Sequence, residues 1–315
     1  MFSVSMRTLG LVVSLIIHTI KAQYGHVIIP SKSSPNERIK IQTENIYLQG
    51  QQAYLAIITG SIPQSYFHVL VKDSECSLEK TSLFARNFQC QYAINAGPFH
   101  SYTKGGCVGF TVSNGTIIHE TRDEDNGTPV STDEDAGFGI TDDNEWILGS
   151  VNSMMLQQKQ KAELNIQEFV TGLNAGWLIY NSTNVISNQD SQDRAPRTAI
   201  GVDSDGQRLV ILQVDGCEHC ILKTTSRSRI GRGLTLHEMA EAMKGYVDFA
   251  INLDGGGSST SVCNEIIINH PTCLDYVTYM CERPVASAIC IRDTGLVDSS
   301  EINNGESINS NAVED

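Results

Sequence analysis

This sequence predicts an α+β fold: a strand-rich mixed α/β sheet with hairpins and a few packing helices, stapled by disulfides. Three observations carry that prediction. Short apolar runs alternate with tight-turn residues, one well-marked helix leads directly into an apolar strand, and nine cysteines lie along a chain that opens like a secretory leader.

Arg7, the apolar run from Leu9 to Ile20 and then Ala22 read as a signal peptide over residues 1–22, too short a run to span a bilayer. Residues 23–292 read as one domain, because no internal repeat and no Pro- or Ser-rich linker interrupts them. Within it, "VGFTV", "SNGT" and "IIHE" place Asn114 and Gly115 at a two-residue hairpin turn. "GFGITDDNEWILG" reads as a second hairpin, and "RTAIGVD", "SDG" and "QRLVILQVDG" as a third with Gly206 at its turn. "NIQEFVTGL", Asn165 to Leu173, reads as a helix. A second helix is framed by Thr235 as N-cap with Glu238 three residues on, a capping box, and by Leu234 and Met239 as a hydrophobic staple. Leu236, Met239, Ala240 and Met243 give it an apolar face, Gly245 stops it, and it feeds the strand "YVDFAINL". Asp293 to Asp315 has Asp and Glu but no Lys or Arg, and reads as an acidic disordered tail over residues 293–315.

A formal charge of −14 argues against nucleic acid and anionic membrane surfaces as partners. No later run reaches transmembrane length, so no membrane span is expected in the mature chain. An odd number of cysteines in a secreted chain implies a disulfide framework with one thiol left over. Sequons at Asn114 and Asn181 fit the same compartment, while one at Asn126 is weakened by Pro129. The expected location is the secretory pathway, in the Golgi or lysosomal lumen, or outside the cell. The acidic stretch from Thr121 to Asp135 misses EF-hand spacing and reads as a surface loop.

Several familiar sites fail on spacing. "HEMAE" at His237 lacks the second histidine of a zinc protease, Glu241 standing there instead. "CEHC" at Cys217 to Cys220 lacks a thioredoxin-like context, leaving either a short structural disulfide or one partner each for other cysteines. No G-x-S-x-G elbow is present. "INLDGGGSST" is different: three glycines after an apolar strand let backbone N–H groups approach a ligand, and Ser258, Ser259 and Thr260 add hydroxyls. Read this way, Gly255, Gly256, Gly257 and Ser258 cradle an anion or sugar with Asp254 at the rim. "YAINAGPF" likewise ends a strand at Asn95, Arg197 precedes another and offers a fork to a phosphate, and Asp215 ends a third.

"YAINAGPF", "GGCVGFTV", "RTAIGVD", "VDGCE", "LTLHEMAEAM" and "AINLDGGGSSTSV", in that order, resemble the phosphodiester glycosidase family over roughly Cys76 to Arg292. The resemblance implies hydrolysis of N-acetylglucosamine from a phosphodiester, leaving phosphate on mannose of a glycoprotein glycan. It also implies bridges Cys76 to Cys107, Cys90 to Cys290 and Cys273 to Cys281, with Cys217, Cys220 and Cys263 unassigned. The partners would be phosphorylated high-mannose glycans; no cofactor and no metal are called for, and a homo-oligomer stays open. A phosphate monoester, with a second pKa of about 6, leaves with far less acid help than a sugar hydroxyl. One carboxylate and a phosphate clamp then suffice: Asp254 as nucleophile or base, Arg197 and the Gly255 to Gly257 amides on the phosphate, Asn95 orienting the substrate. Glu238, discounted for its capping role, and Asp215 are reserve acids or bases. The rivals are a glycosidase acting on another sugar phosphodiester, a non-catalytic phosphosugar-binding protein, and a phosphodiesterase cleaving the P–O bond.

Overall fold

The computed structural model describes residues 26–30, 39–60, 66–101, 103–121, 136–153, 165–173, 176–187, 192–217, 219, 231–274 and 279–292. The signal peptide, the acidic tail, the Asn126 sequon, all but the first residue of the Thr121–Asp135 stretch, and Cys220 lie outside them.

Among the described residues, three larger sheets carry the fold. The first has the strand order β1 (Val27–Pro30), β12 (Glu145–Gly149), β11 (Gly137–Thr141), β13 (Ile166–Thr171), β9 (Thr111–Ser113) and β10 (Thr116–His119). The second runs β15 (Thr183–Asn184), β14 (Trp177–Tyr180), β18 (Phe249–Asn252), β16 (Arg197–Val202), β17 (Arg208–Val214), β3 (Gln51–Thr59) and β2 (Lys40–Leu48). The third runs β20 (Ile266–Ile267), β19 (Ser261–Cys263), β6 (Tyr92–Asn95), β22 (Ser287–Ile291) and β4 (Phe67–Val71). Short pairs join β5 (Glu79–Lys80) to β21 (Pro284–Val285) and β7 (Phe99–Ser101) to β8 (Gly105–Cys107). Among the described residues, the helices α1 (Thr81–Asn87) and α2 (Leu236–Met243) pack on outer faces.

The main core forms where the sheets face one another: Phe138 and Trp146 from the first, Ile200 and Ile251 from the second, Phe67, Tyr92 and Ile289 from the third. The opposite face of the second sheet packs Ala199, Val210 and Leu212 against Leu236, Met239, Ala240 and Met243 of α2, the face the sequence predicts. That helix begins with the expected capping box and ends with Lys244 as C-cap, one residue before Gly245.

All three predicted hairpins form, as β9–β10, β11–β12 and β16–β17. Two expectations change. The expected mixed sheet is antiparallel in every ladder among the described residues, as short hairpin links allow. The helix expected over Asn165 to Leu173 is strand β13, hydrogen-bonded to β11 on one side and β9 on the other. Ile166, Val170 and Thr171 are β-branched, and ladder partners on both edges outweigh the helical propensity of Gln167 and Glu168.

The bridges Cys76–Cys107, Cys90–Cys290 and Cys273–Cys281 are present. Cys217 is also disulfide-bonded, and Cys263 is a free thiol. Asn114 and Asn181 stand exposed. No described helix is long and apolar enough to cross a membrane.

Candidate active site

The second and third sheets meet at the chain following β18. Leu253 N donates to Thr198 O at 2.9 Å and Gly256 N to Pro196 O at 2.9 Å, so the loop stays bonded to the start of β16. Asp254 N donates to Ala96 O, just past the end of β6, at 3.0 Å. Asn95 locks this junction from within. Fully buried, it donates from Nδ2 to Asp254 O at 2.7 Å, while its Oδ1 accepts from Thr198 Oγ1 at 3.0 Å and Thr260 N at 3.1 Å. Both ends of its amide are thus engaged by the protein, which makes Asn95 a brace for the Asp254 loop rather than a group presented to substrate.

Asp254 is half-buried, and its Oδ1 accepts from Gly255 N at 3.0 Å. The three glycines after it each answer a local demand. A Cβ on Gly255 would stand 2.7 Å from Pro196 O; Gly256 adopts φ +57°; a Cβ on Gly257 would stand 2.4 Å from Arg283 Nη2 and 2.8 Å from Cys273 O. The amides of Gly255 and Gly256 are spent on Asp254 Oδ1 and Pro196 O, so the expected three-amide cradle is not open at those two positions. The end of the 3-10 turn Gly256–Ser258 differs: Ser258 is 1% exposed, and its Oγ has no hydrogen-bond partner among the described residues. An unsatisfied buried hydroxyl costs about 1–3 kcal/mol, which a bound ligand would recover.

Asp215 reaches the same loop at one remove. Its Oδ1 accepts from Asn269 Nδ2 at 3.1 Å and His270 N at 3.1 Å; Asn269 in turn donates to Ser259 O and accepts from Ser261 N. Burial pushes the Asp215 pKa above the usual carboxylate value, against hydrogen bonds from His270, Asn269, Gln213 and Tyr54. Surrounded by donors and 5% exposed, Asp215 anchors the segment behind the glycine loop.

Glu238 and Arg197 serve the start of α2. Glu238 Oε2 accepts from Thr235 N at 2.9 Å and Oε1 pairs with Arg194, so both oxygens are committed there rather than held in reserve for chemistry. Arg197 donates from Nε to Leu234 O at 3.1 Å and from Nη2 to Asp193 O at 2.9 Å. Strand alternation explains this: Thr198 faces Asn95 and Ser259, and Arg197 the opposite side, so the expected phosphate fork is braced on backbone carbonyls.

The sequence pattern of the phosphodiester glycosidase family matches residues 88–292. The chain belongs to that family. It is 31% identical over 223 residues to the N-acetylglucosamine-1-phosphodiester alpha-N-acetylglucosaminidase of Bos taurus, covering 66% of this chain and 38% of the bovine one. The Homo sapiens protein of the same name is 30% identical over 223 residues, covering 66% and 39%. The matched region therefore spans well under half of these relatives. The zebrafish catalytic domain of that name, solved auto-inhibited by its pro-peptide, shares the fold with a TM-score of 0.65 at 22% identity, over 86% of this chain and 89% of that one.

Thr198, Asn269 and Arg283 escape the sequence reading. Arg283 carries the very signal that singles out Arg197, a cation at the head of an apolar strand: "RPVASAICI" parallels "RTAIGV". Asn269 and Thr198 give no such signal, because their roles are set by contacts far along the chain.

Proposed function

We propose that this phosphodiester glycosidase hydrolyses the bond between N-acetylglucosamine and phosphate. Its substrate is the N-acetylglucosamine-alpha-1-phospho-6-mannose of phosphorylated high-mannose glycans on glycoproteins, and its product exposes mannose 6-phosphate for lysosomal targeting. The names of the bovine and human relatives support the reaction class. Disulfides and exposed sequon asparagines support a secretory location. The observation that carries the reading is Asp254, held by its main chain where two sheets meet, at the rim of a glycine loop with an unsatisfied buried hydroxyl.

Asp254 acts at the anomeric carbon as nucleophile or base. The C1–O bond breaks with its electron pair leaving on the phosphate, and water supplies the new hydroxyl at C1. Because the departing phosphate monoester has a second pKa of about 6, no strong acid is needed. Asn95 and Asp215 keep the loop in register, and Ser258 faces the substrate. The test is release of N-acetylglucosamine from its 1-phosphodiester with mannose by the secreted protein. Asp254→Asn lowers kcat by about 10²–10⁴-fold, a range expected for one acid–base or nucleophilic group. Full turnover by a folded Asp254→Asn variant contradicts the assignment.

A further inference from the structure

We infer that Arg283 is the residue that contacts the phosphate in this site, an assignment that rests on the reaction proposed above. Arg283 heads the segment leading into β22 and is 8% exposed, with Nε donating to Cys273 O at 2.8 Å. Its guanidinium lies against Gly257 so closely that a Cβ there would stand 2.4 Å from Nη2 and 2.7 Å from Cζ. The third glycine of the loop leaves room for this guanidinium and for Cys273 O, 2.8 Å from where a Cβ would stand, and the next residue is Ser258, whose buried hydroxyl, like those of Thr260 and Ser261, has no hydrogen-bond partner among the described residues. A guanidinium fork beside a hydroxyl donor suits a phosphate oxygen pair, and charge-assisted bonds of this kind are about twice as strong as neutral ones.

The placement is rigid. Glu282 turns the other way, accepting from Ser82 N at 2.7 Å and Ser82 Oγ at 2.6 Å beside α1. The carbonyl that receives Arg283 Nε belongs to Cys273, whose N–H donates to Cys281 O at 2.9 Å across the Cys273–Cys281 bridge. Cys281 N in turn donates to Pro271 O at 2.8 Å, and Thr272 Oγ1 to Gly216 O at 2.8 Å, next to Asp215. The small disulfide loop therefore fixes Arg283 over the glycine turn before any ligand arrives, the preorganisation a binding group needs. Arg197, committed to Leu234 O and Asp193 O from the other face of β16, is a positioning residue.

The experiment measures calorimetric binding of inorganic phosphate and mannose 6-phosphate, together with KM and kcat for the sugar phosphodiester, in wild type, Arg283→Gln, Arg283→Lys, Gly257→Ala and Arg197→Gln. Arg283→Gln is expected to weaken phosphate binding and raise KM by about 10- to 100-fold, as loss of a charged hydrogen bond predicts. Arg283→Lys should restore part of the loss, and Gly257→Ala should reproduce it by displacing the guanidinium. The inference is overturned if folded Arg283→Gln binds phosphate like wild type, or if the loss appears in Arg197→Gln instead. Should the variants not fold, wild-type crystals soaked in phosphate decide: an anion on Arg283 Nη atoms supports the assignment, and one bound elsewhere refutes it. Phosphate binding by wild type without turnover of the phosphodiester would sink the proposed reaction and leave this binding assignment standing.

Discussion

β18 has an aspartate just outside each end, and the two are used differently. Asp248, before Phe249, takes hydrogen bonds from two other segments on its carboxylate: Ser182 Oγ, and Ser204 N at 2.7 Å. It ties turns together. Asp254, beyond Asn252, has its long-range grip on the main chain, through Ala96 O and Asn95 Nδ2, while Oδ1 takes the N–H of the next residue. One strand thus has at one end a carboxylate that ties turns together and at the other an aspartate whose loop is gripped through its main chain. What separates them is the neighbourhood, serines that consume the first and glycines that border the second.

The sharpest way to break this comparison is the pair Asp254→Asn and Asp248→Asn. The first should abolish most turnover, by the two to four orders of magnitude given above, with little change in Tm. The second should leave kcat/KM within about threefold and cost about 1–2 kcal/mol, the usual worth of a hydrogen-bonded carboxylate. Equal effects on turnover from both variants would erase the distinction.

Next in size is Asn95→Ala. It strips partners from Asp254 O and Thr260 N at a fully buried site, so a loss of about 2–4 kcal/mol in chemical denaturation is expected. Turnover of the folded fraction should fall as well, because the Asp254 loop loses its brace. Unchanged turnover in that fraction would show that the brace serves stability alone.

The acids also give opposite pH slopes. Burial raises the native Asp215 pKa above its unfolded value near 3.8, so the folded state holds that proton more tightly and stability falls as pH rises through the raised value. The Ser182 hydrogen bond lowers the Asp248 pKa, so its contribution is present above the unfolded value and fades as pH falls through the native one. Denaturation of Asp215→Asn and Asp248→Asn across pH should remove slopes of opposite sign. The smallest expected effect is Ser258→Ala, within about 1 kcal/mol of wild type because the lost hydroxyl has no recorded partner. Its signature is a raised KM.

Local chemistry made much of this fold legible. Turn residues marked three hairpins, and Thr235 with Glu238 marked α2 before any contact was known. The glycine loop after β18 was legible for the same reason, since an apolar strand running into three glycines is a local pattern. β13 was misread because its partners, β11 and β9, are separated from it along the chain and decide its conformation. The functions of the glycines were half legible: the pattern announced close approach, but what approaches Gly257 is Arg283, twenty-six positions later in sequence. Arg197 and Arg283 look alike as text and diverge only through strand alternation and the Cys273–Cys281 loop.

The central claim is that Asp254 directs attack at the sugar carbon, with phosphate as leaving group. Hydrolysis of the N-acetylglucosamine phosphodiester in ¹⁸O-labelled water reads this directly by mass spectrometry. The account predicts label in the released N-acetylglucosamine and none in the phosphate; label in the phosphate would contradict it.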